Sequence, residues 1–85
     1  MSEEIIMPTS NKLVSEIPLD LLPGESKDLE IPAPHNGKPF FAGFKIPDGK
    51  KVFYIGKDIA GTDTLRLRFY NSDTTPVTIH GVIRQ

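Results

Sequence analysis

The side chains of this sequence that could do chemistry are two histidines, eleven carboxylates and three arginines, and their spacing decides how little of it is organised. Neither His35 nor His80 has a second histidine, or any cysteine, at the spacing of metal ligands, which argues against a zinc site. Asp58, Asp63 and Asp73 do not form the Asp-x-Asp-x-Asp-Gly run of a calcium loop; they read as turn and cap residues whose oxygens bond nearby backbone amides. Gly56 to Gly61 has two glycines at the right separation for a phosphate loop, but Thr62-Asp63 follows where lysine and then serine or threonine are required. No nucleophile is paired with a base. The expectation is a protein that is not an enzyme and carries neither cofactor nor metal.

The arginines are more informative. Arg66, Arg68 and Arg84 are the only three, and they alternate with apolar residues near the C-terminus. Alternation with period two puts Arg66, Arg68 and Tyr70 on one side of a strand and Leu65, Leu67 and Phe69 on the other. Beyond a polar turn, Val77, Ile79 and Ile83 repeat the apolar row, opposite His80 and Arg84. Arg66, Arg68, Tyr70, His80 and Arg84 therefore make up the candidate binding face. Arginine with an aromatic on an open sheet suits phosphate contact and base stacking in a single-stranded nucleic acid, or the centre of a protein interface. The chain is slightly acidic overall, net −1, which argues against nucleic acid and for a protein partner.

These residues need strands to carry them, and the rest of the chain supplies strands. Leu29 and Ile31 alternate with Asp28 and Glu30. Phe40, Ala42, Phe44 and Ile46 share one side of a segment expected to be a core strand. Lys51 to Ile55 carries bulk on both faces, Val52 and Tyr54 opposite Phe53 and Ile55, which implies burial on both sides or an interface on one. Pro23-Gly24 and Pro47-Asp48-Gly49-Lys50 are turn signals, the second for a hairpin. Pro18 is expected to end the segment Lys12 to Ile17, and Lys57 to Gly61 to form a single helical turn. Pro32 to Pro39 is a loop and a candidate ligand contact. No segment has the period of an amphipathic helix. The pattern predicts a small antiparallel β-sandwich or jelly-roll-like barrel of about six to eight short strands. It forms a single β domain over residues 1–85, with residues 1–10 a peripheral arm or edge strand.

A domain of 85 residues supports one modest core, and without cysteine no disulfide supplements it. Association with other subunits is the remaining common supplement. Charge is divided unevenly: residues 1–30 hold seven acids and two lysines, and the remainder four acids and eight basic residues. That split could steer the acidic part onto the basic part, within one subunit or between neighbours. No apolar run is long enough to span a bilayer, and the acidic start, Met-Ser-Glu-Glu, is unlike a signal peptide.

The final 21 residues, Leu65-Arg-Leu-Arg-Phe-Tyr-Asn-Ser-Asp-Thr-Thr-Pro-Val-Thr-Ile-His-Gly-Val-Ile-Arg-Gln85, resemble the closing β-hairpin of small all-β virion proteins of tailed bacteriophages. In these an "R-x-R-x-Y/F-N" strand leads through a Ser/Thr-rich turn to a "V-T-I-x-G-x-I/L-R" strand. The resemblance covers about a quarter of the chain. It implies a structural virion component, a capsid decoration or tail accessory protein made in the host cytoplasm, acting through homo-oligomeric or lattice contacts. Without a phage setting the expected location is the cytoplasm. The competing expectation is a monomeric β-module that binds carbohydrate or a short peptide through the Pro32 to Pro39 loop and Tyr54, or single-stranded nucleic acid through Arg66 and Arg68.

Overall fold

The computed structural model describes residues 12–85, so the expected arm or edge strand over residues 1–10 lies outside the described residues. Six strands form: β1 (Leu13–Leu21), β2 (Ser26–Pro32), β3 (Phe41–Lys45), β4 (Val52–Ala60), β5 (Thr64–Asn71) and β6 (Val77–Arg84). They make two three-stranded antiparallel sheets, ordered β1-β6-β3 and β2-β5-β4, as in a small β-sandwich. No described residue is helical, and no helix is long and apolar enough to cross a membrane.

The two strands richest in alternating apolar residues, β5 and β6, are the centre strands, one in each sheet. Each uses its odd-numbered row inward: Leu67 and Phe69 from β5, Val77, Ile79 and Ile83 from β6. Leu21, Leu29, Ile31 and Val52 complete the core from the flanking strands. The expected closing hairpin is therefore not a hairpin. Residues 65–71 and 77–84 do not pair with each other; the chain crosses from one sheet to the other between them, so their apolar rows meet face to face.

The same correction applies to Pro47 to Lys50, which links β3 and β4 in different sheets. The one hairpin among the described residues is β4–β5, turning through Gly61, Thr62 and Asp63, with Gly61 at a φ of 67° that a side chain would disfavour. Lys57 to Ala60 continues β4 rather than forming a helical turn, because the β5 ladder supplies its backbone partners. Pro18 does not end β1. That strand is an edge, where a missing N–H costs no ladder bond. The segment with three phenylalanines is also an edge strand, β3, not a central one.

Gly81 lies at the centre of β6 between Ile17 and Phe44. A Cβ there would stand 3.0 Å from Leu29 Cδ2 and 3.1 Å from Ile31 Cδ1, so glycine sets how closely the sheets approach. At one end of the sandwich Asn71, fully buried, bonds three ways. Its Nδ2 donates to the carbonyls of Leu21 at 3.0 Å and Thr75 at 3.1 Å, and its Oδ1 accepts from the Asp73 amide at 2.9 Å. It thereby fastens the end of β1 to the crossover between β5 and β6.

Candidate functional site

The five residues expected to form one binding face are divided between two. Arg66, Arg68 and Tyr70 lie on the outer face of the β2-β5-β4 sheet, and His80 and Arg84 on the outer face of the other, on the far side of the molecule. The arginines of β5 are also engaged. The register places Arg66 between Glu30 and Asp58, and Arg68 opposite Asp28. Ion pairs follow at 3.7 Å, 3.3 Å and 3.1 Å respectively. With Lys45–Glu16, three of these pairs join the acidic first thirty residues to the basic remainder, so the charge asymmetry is partly discharged within one subunit. Pairs this exposed contribute ~0–1 kcal/mol each. They nevertheless leave little free positive potential on that face.

Tyr70 and Arg84 have different surroundings. Tyr70 stands directly opposite Phe53 across β4–β5, both on the outer face. Arg84 lies in a row with Phe41 on one side and Leu13 on the other. Phe41 is 67% exposed and Phe53 is 55% exposed. Of eleven exposed large apolar side chains among the described residues, six belong to β3 and β4: Phe41, Phe44, Phe53, Tyr54, Ile55 and Ile59.

That concentration has a structural cause. β3 and β4 lie on the same side of the sandwich, each an edge of its sheet, and the two sheets pack closely only on the opposite side, at β1 and β2. The inward rows of β3 and β4 are thus mostly apolar, Lys57 excepted, without being covered. Phe44 and Tyr54 reach the buried Phe69, with centroids 4.9 Å and 5.7 Å away, the Phe44 ring edge-on at 74°. Beyond Phe44 the gap widens into an apolar cleft of about 270 Å³, floored by Ile31 and Leu65, walled by Phe40, Ala42 and Ile59, and rimmed by Thr62, Asp63 and Thr64. Ile55 is the extra residue where the β4–β5 register shifts, and the bulge leaves it half-exposed.

The proline-rich loop, the other candidate contact, is tied down. His35 Nε2 lies 2.9 Å from Asp63 Oδ2, the Ala33 amide donates to the Asp63 carbonyl at 2.8 Å, and the side chains of Asn36 and Gln85 bond reciprocally at 2.9 Å and 3.0 Å. Asp73 is held below the usual carboxylate range, chiefly by the Lys51 amide and further by the amides of Thr75 and Thr74, and so pins the β5–β6 crossover to the start of β4. Among the described residues no group of three metal-ligating side chains converges.

The apolar edge along β3 and β4 was half visible in the sequence, where both faces of Lys51 to Ile55 carry bulk. Phe41 and Ile59 had no such signal, because exposure of an edge depends on which strands lie across from it. Comparisons with protein families, curated proteins and solved structures found no match. What fold and surface together define is a small two-sheet antiparallel β protein with an uncovered aromatic edge.

Proposed function

We propose that the protein is a non-catalytic structural module that acts through contacts with other protein subunits, principally copies of itself, along the edge formed by β3 and β4. The observation that carries this reading is the clustering of Phe41, Phe44, Phe53, Tyr54, Ile55 and Ile59 on those two strands. Such a concentration of exposed apolar side chains on one side of a small protein is uncommon in monomers and marks an interaction surface. The other two edges are blunted in the way edges are when pairing is to be avoided, β1 by Pro18 and β2 by Lys27, Asp28, Glu30 and Pro32. Tyr70 and Arg84 border the patch from the two outer faces and are residue types that interface centres favour.

From the sequence resemblance we carry over a virion lattice as the setting, where many copies stand at high local concentration. Only the final 21 residues support it, and the paired hairpin it calls for is absent, β5 and β6 lying in different sheets.

The test is the mass in solution of the full chain and of the Phe53→Ser/Ile55→Ser variant, which removes two exposed apolar side chains and no core contact. The expected result is an oligomer that the variant weakens at least tenfold in dissociation constant. An unchanged oligomer would remove this edge as the interface.

A further inference from the structure

The outer face of the β2-β5-β4 sheet carries a grid of charged side chains with one position left open. On one rung Arg66 stands between Glu30 and Asp58; on the next outward rung Arg68 stands between Asp28 and Gly56. Arg66 therefore has a carboxylate on each side, at 3.7 Å and 3.3 Å. Arg68 has one, Asp28, which takes Nε at 3.1 Å and Nη2 at 3.4 Å and leaves Nη1 without a partner among the described residues. The open position is a depression of about 430 Å³ around Gly56, bounded by Asp28, Asp58, Arg66 and Arg68. That volume lies within the ~300–1,000 Å³ range of small-molecule sites.

Among the described residues nothing requires glycine at position 56. Its φ lies outside the left-handed region that Gly61 adopts. A Cβ there would meet Arg68 Cβ at 3.7 Å, an ordinary contact, where one at Gly81 would come within 3.0 Å of a core side chain. Glycine weakens a strand interior and often marks a place where a ligand or another backbone comes close. Gly56 also follows the bulge at Ile55, and bulges gather beside binding sites, where they re-aim side chains.

The opening is chemically selective. Arg68 offers donors only, while Asp28 and the exposed Asp58 offer acceptors only, so an occupant must accept and donate within one short span. A carboxylate or phosphate could accept from Arg68, but it would enter a grid of three carboxylates and two guanidiniums; an ammonium would face Arg68. An extended peptide points its N–H and C=O groups to opposite edges. Neighbouring hydroxyls on a sugar ring each accept and donate, and one planar guanidinium or carboxylate can span two of them. We propose that this depression binds a neutral saccharide, with Arg68 donating to its ring oxygens or hydroxyls and Asp28 and Asp58 accepting from hydroxyls beside them. The site shares no side chain with the apolar patch on β3 and β4 and goes beyond the association reading.

The labelled full chain is applied to an array of neutral, sialylated and sulfated oligosaccharides, and the strongest neutral ligand is then titrated in solution by calorimetry. Neutral glycans should be retained. The dissociation constant should weaken at least tenfold in Gly56→Val, whose side chain fills the depression, and in Arg68→Ala, which removes the donor. Valine suits a strand and the Arg68 side chain is half-exposed, so circular dichroism should show both variants folded as the wild type is. An array bare of neutral glycans would overturn the proposal, and so would two variants that bind as the wild type does. Binding confined to the sialylated and sulfated set would also overturn it, making the depression an anion site. The readout is independent of oligomeric state: a saccharide bound by a chain that stays monomeric keeps this inference while ending the association reading.

Discussion

Replacing Asn71 by aspartate keeps the shape of the side chain, and leaves it one donor when the carboxyl is protonated and none when it is ionised. The side chain is fully buried, and its Nδ2 serves the Leu21 and Thr75 carbonyls. In the Asn71→Asp variant a protonated carboxyl can serve one of those carbonyls and an ionised one neither. A buried group left without its partner costs ~1–3 kcal/mol. The Leu21 bond is buried and the Thr75 bond partly so, giving a loss of about 1–3 kcal/mol with the carboxyl protonated and about 2–5 kcal/mol with it ionised. Domains of this size have a total stability of about 4–13 kcal/mol, so the loss is a large share of it.

Charge adds a pH dependence. Burial and two facing carbonyls raise the introduced carboxyl's folded pKa above its unfolded value near ~3.9, so the folded variant holds a proton that the unfolded chain has released. Stability then falls as pH rises above ~4, and the gap to wild type widens until the folded pKa is passed. Urea unfolding followed by tyrosine fluorescence or circular dichroism at about pH 5 and about pH 7 measures both effects. A loss below about 1 kcal/mol, or a gap identical at the two pH values, would refute the assignment of Asn71 as the buried tie between β1 and the crossover.

Three further outcomes are expected. Gly81→Val should destabilise by about 1–3 kcal/mol in the same assay, since Leu29 and Ile31 must move out of the space the new side chain takes. Asp73, held below the ordinary carboxylate range, supplies stability present above the unfolded pKa and lost as pH falls through the folded one; Asp73→Asn should flatten the acid limb of a stability–pH curve. Arg68→Ala should change stability by less than about 1 kcal/mol, and less still at high salt, because its pair with Asp28 is exposed.

The sequence made the strands legible and left their partners hidden. Alternation in Leu65 to Phe69 and Val77 to Ile83 shows which side chains point inward, and the structure buries most of them. The same alternation is satisfied whether the next strand lies beside the first or across from it. Five turn residues can close a hairpin or cross between sheets, and the choice is made by Asn71 and Asp73, whose bonds knit Ser72 to Pro76 onto β1 and β4. Asn71 had a signal in the Asn-Ser-Asp turn, but a turn asparagine and a buried one read alike.

The candidate face failed for a related reason. Arg66, Arg68, His80 and Arg84 share an outward direction, yet strands in different sheets turn outward to opposite sides. Neither could composition show that Glu30, Asp28 and Asp58 would register against the two arginines of β5. The aromatic edge needed both missing facts, the sheet order and the gap between β3 and β4.

The central claim is that this edge holds subunits together, and the most direct test is the mass of the unmodified chain by light scattering across a concentration series. The account predicts a mass that is a multiple of 9.4 kDa and falls on dilution. A constant 9.4 kDa at every concentration, with no second protein bound, would contradict it.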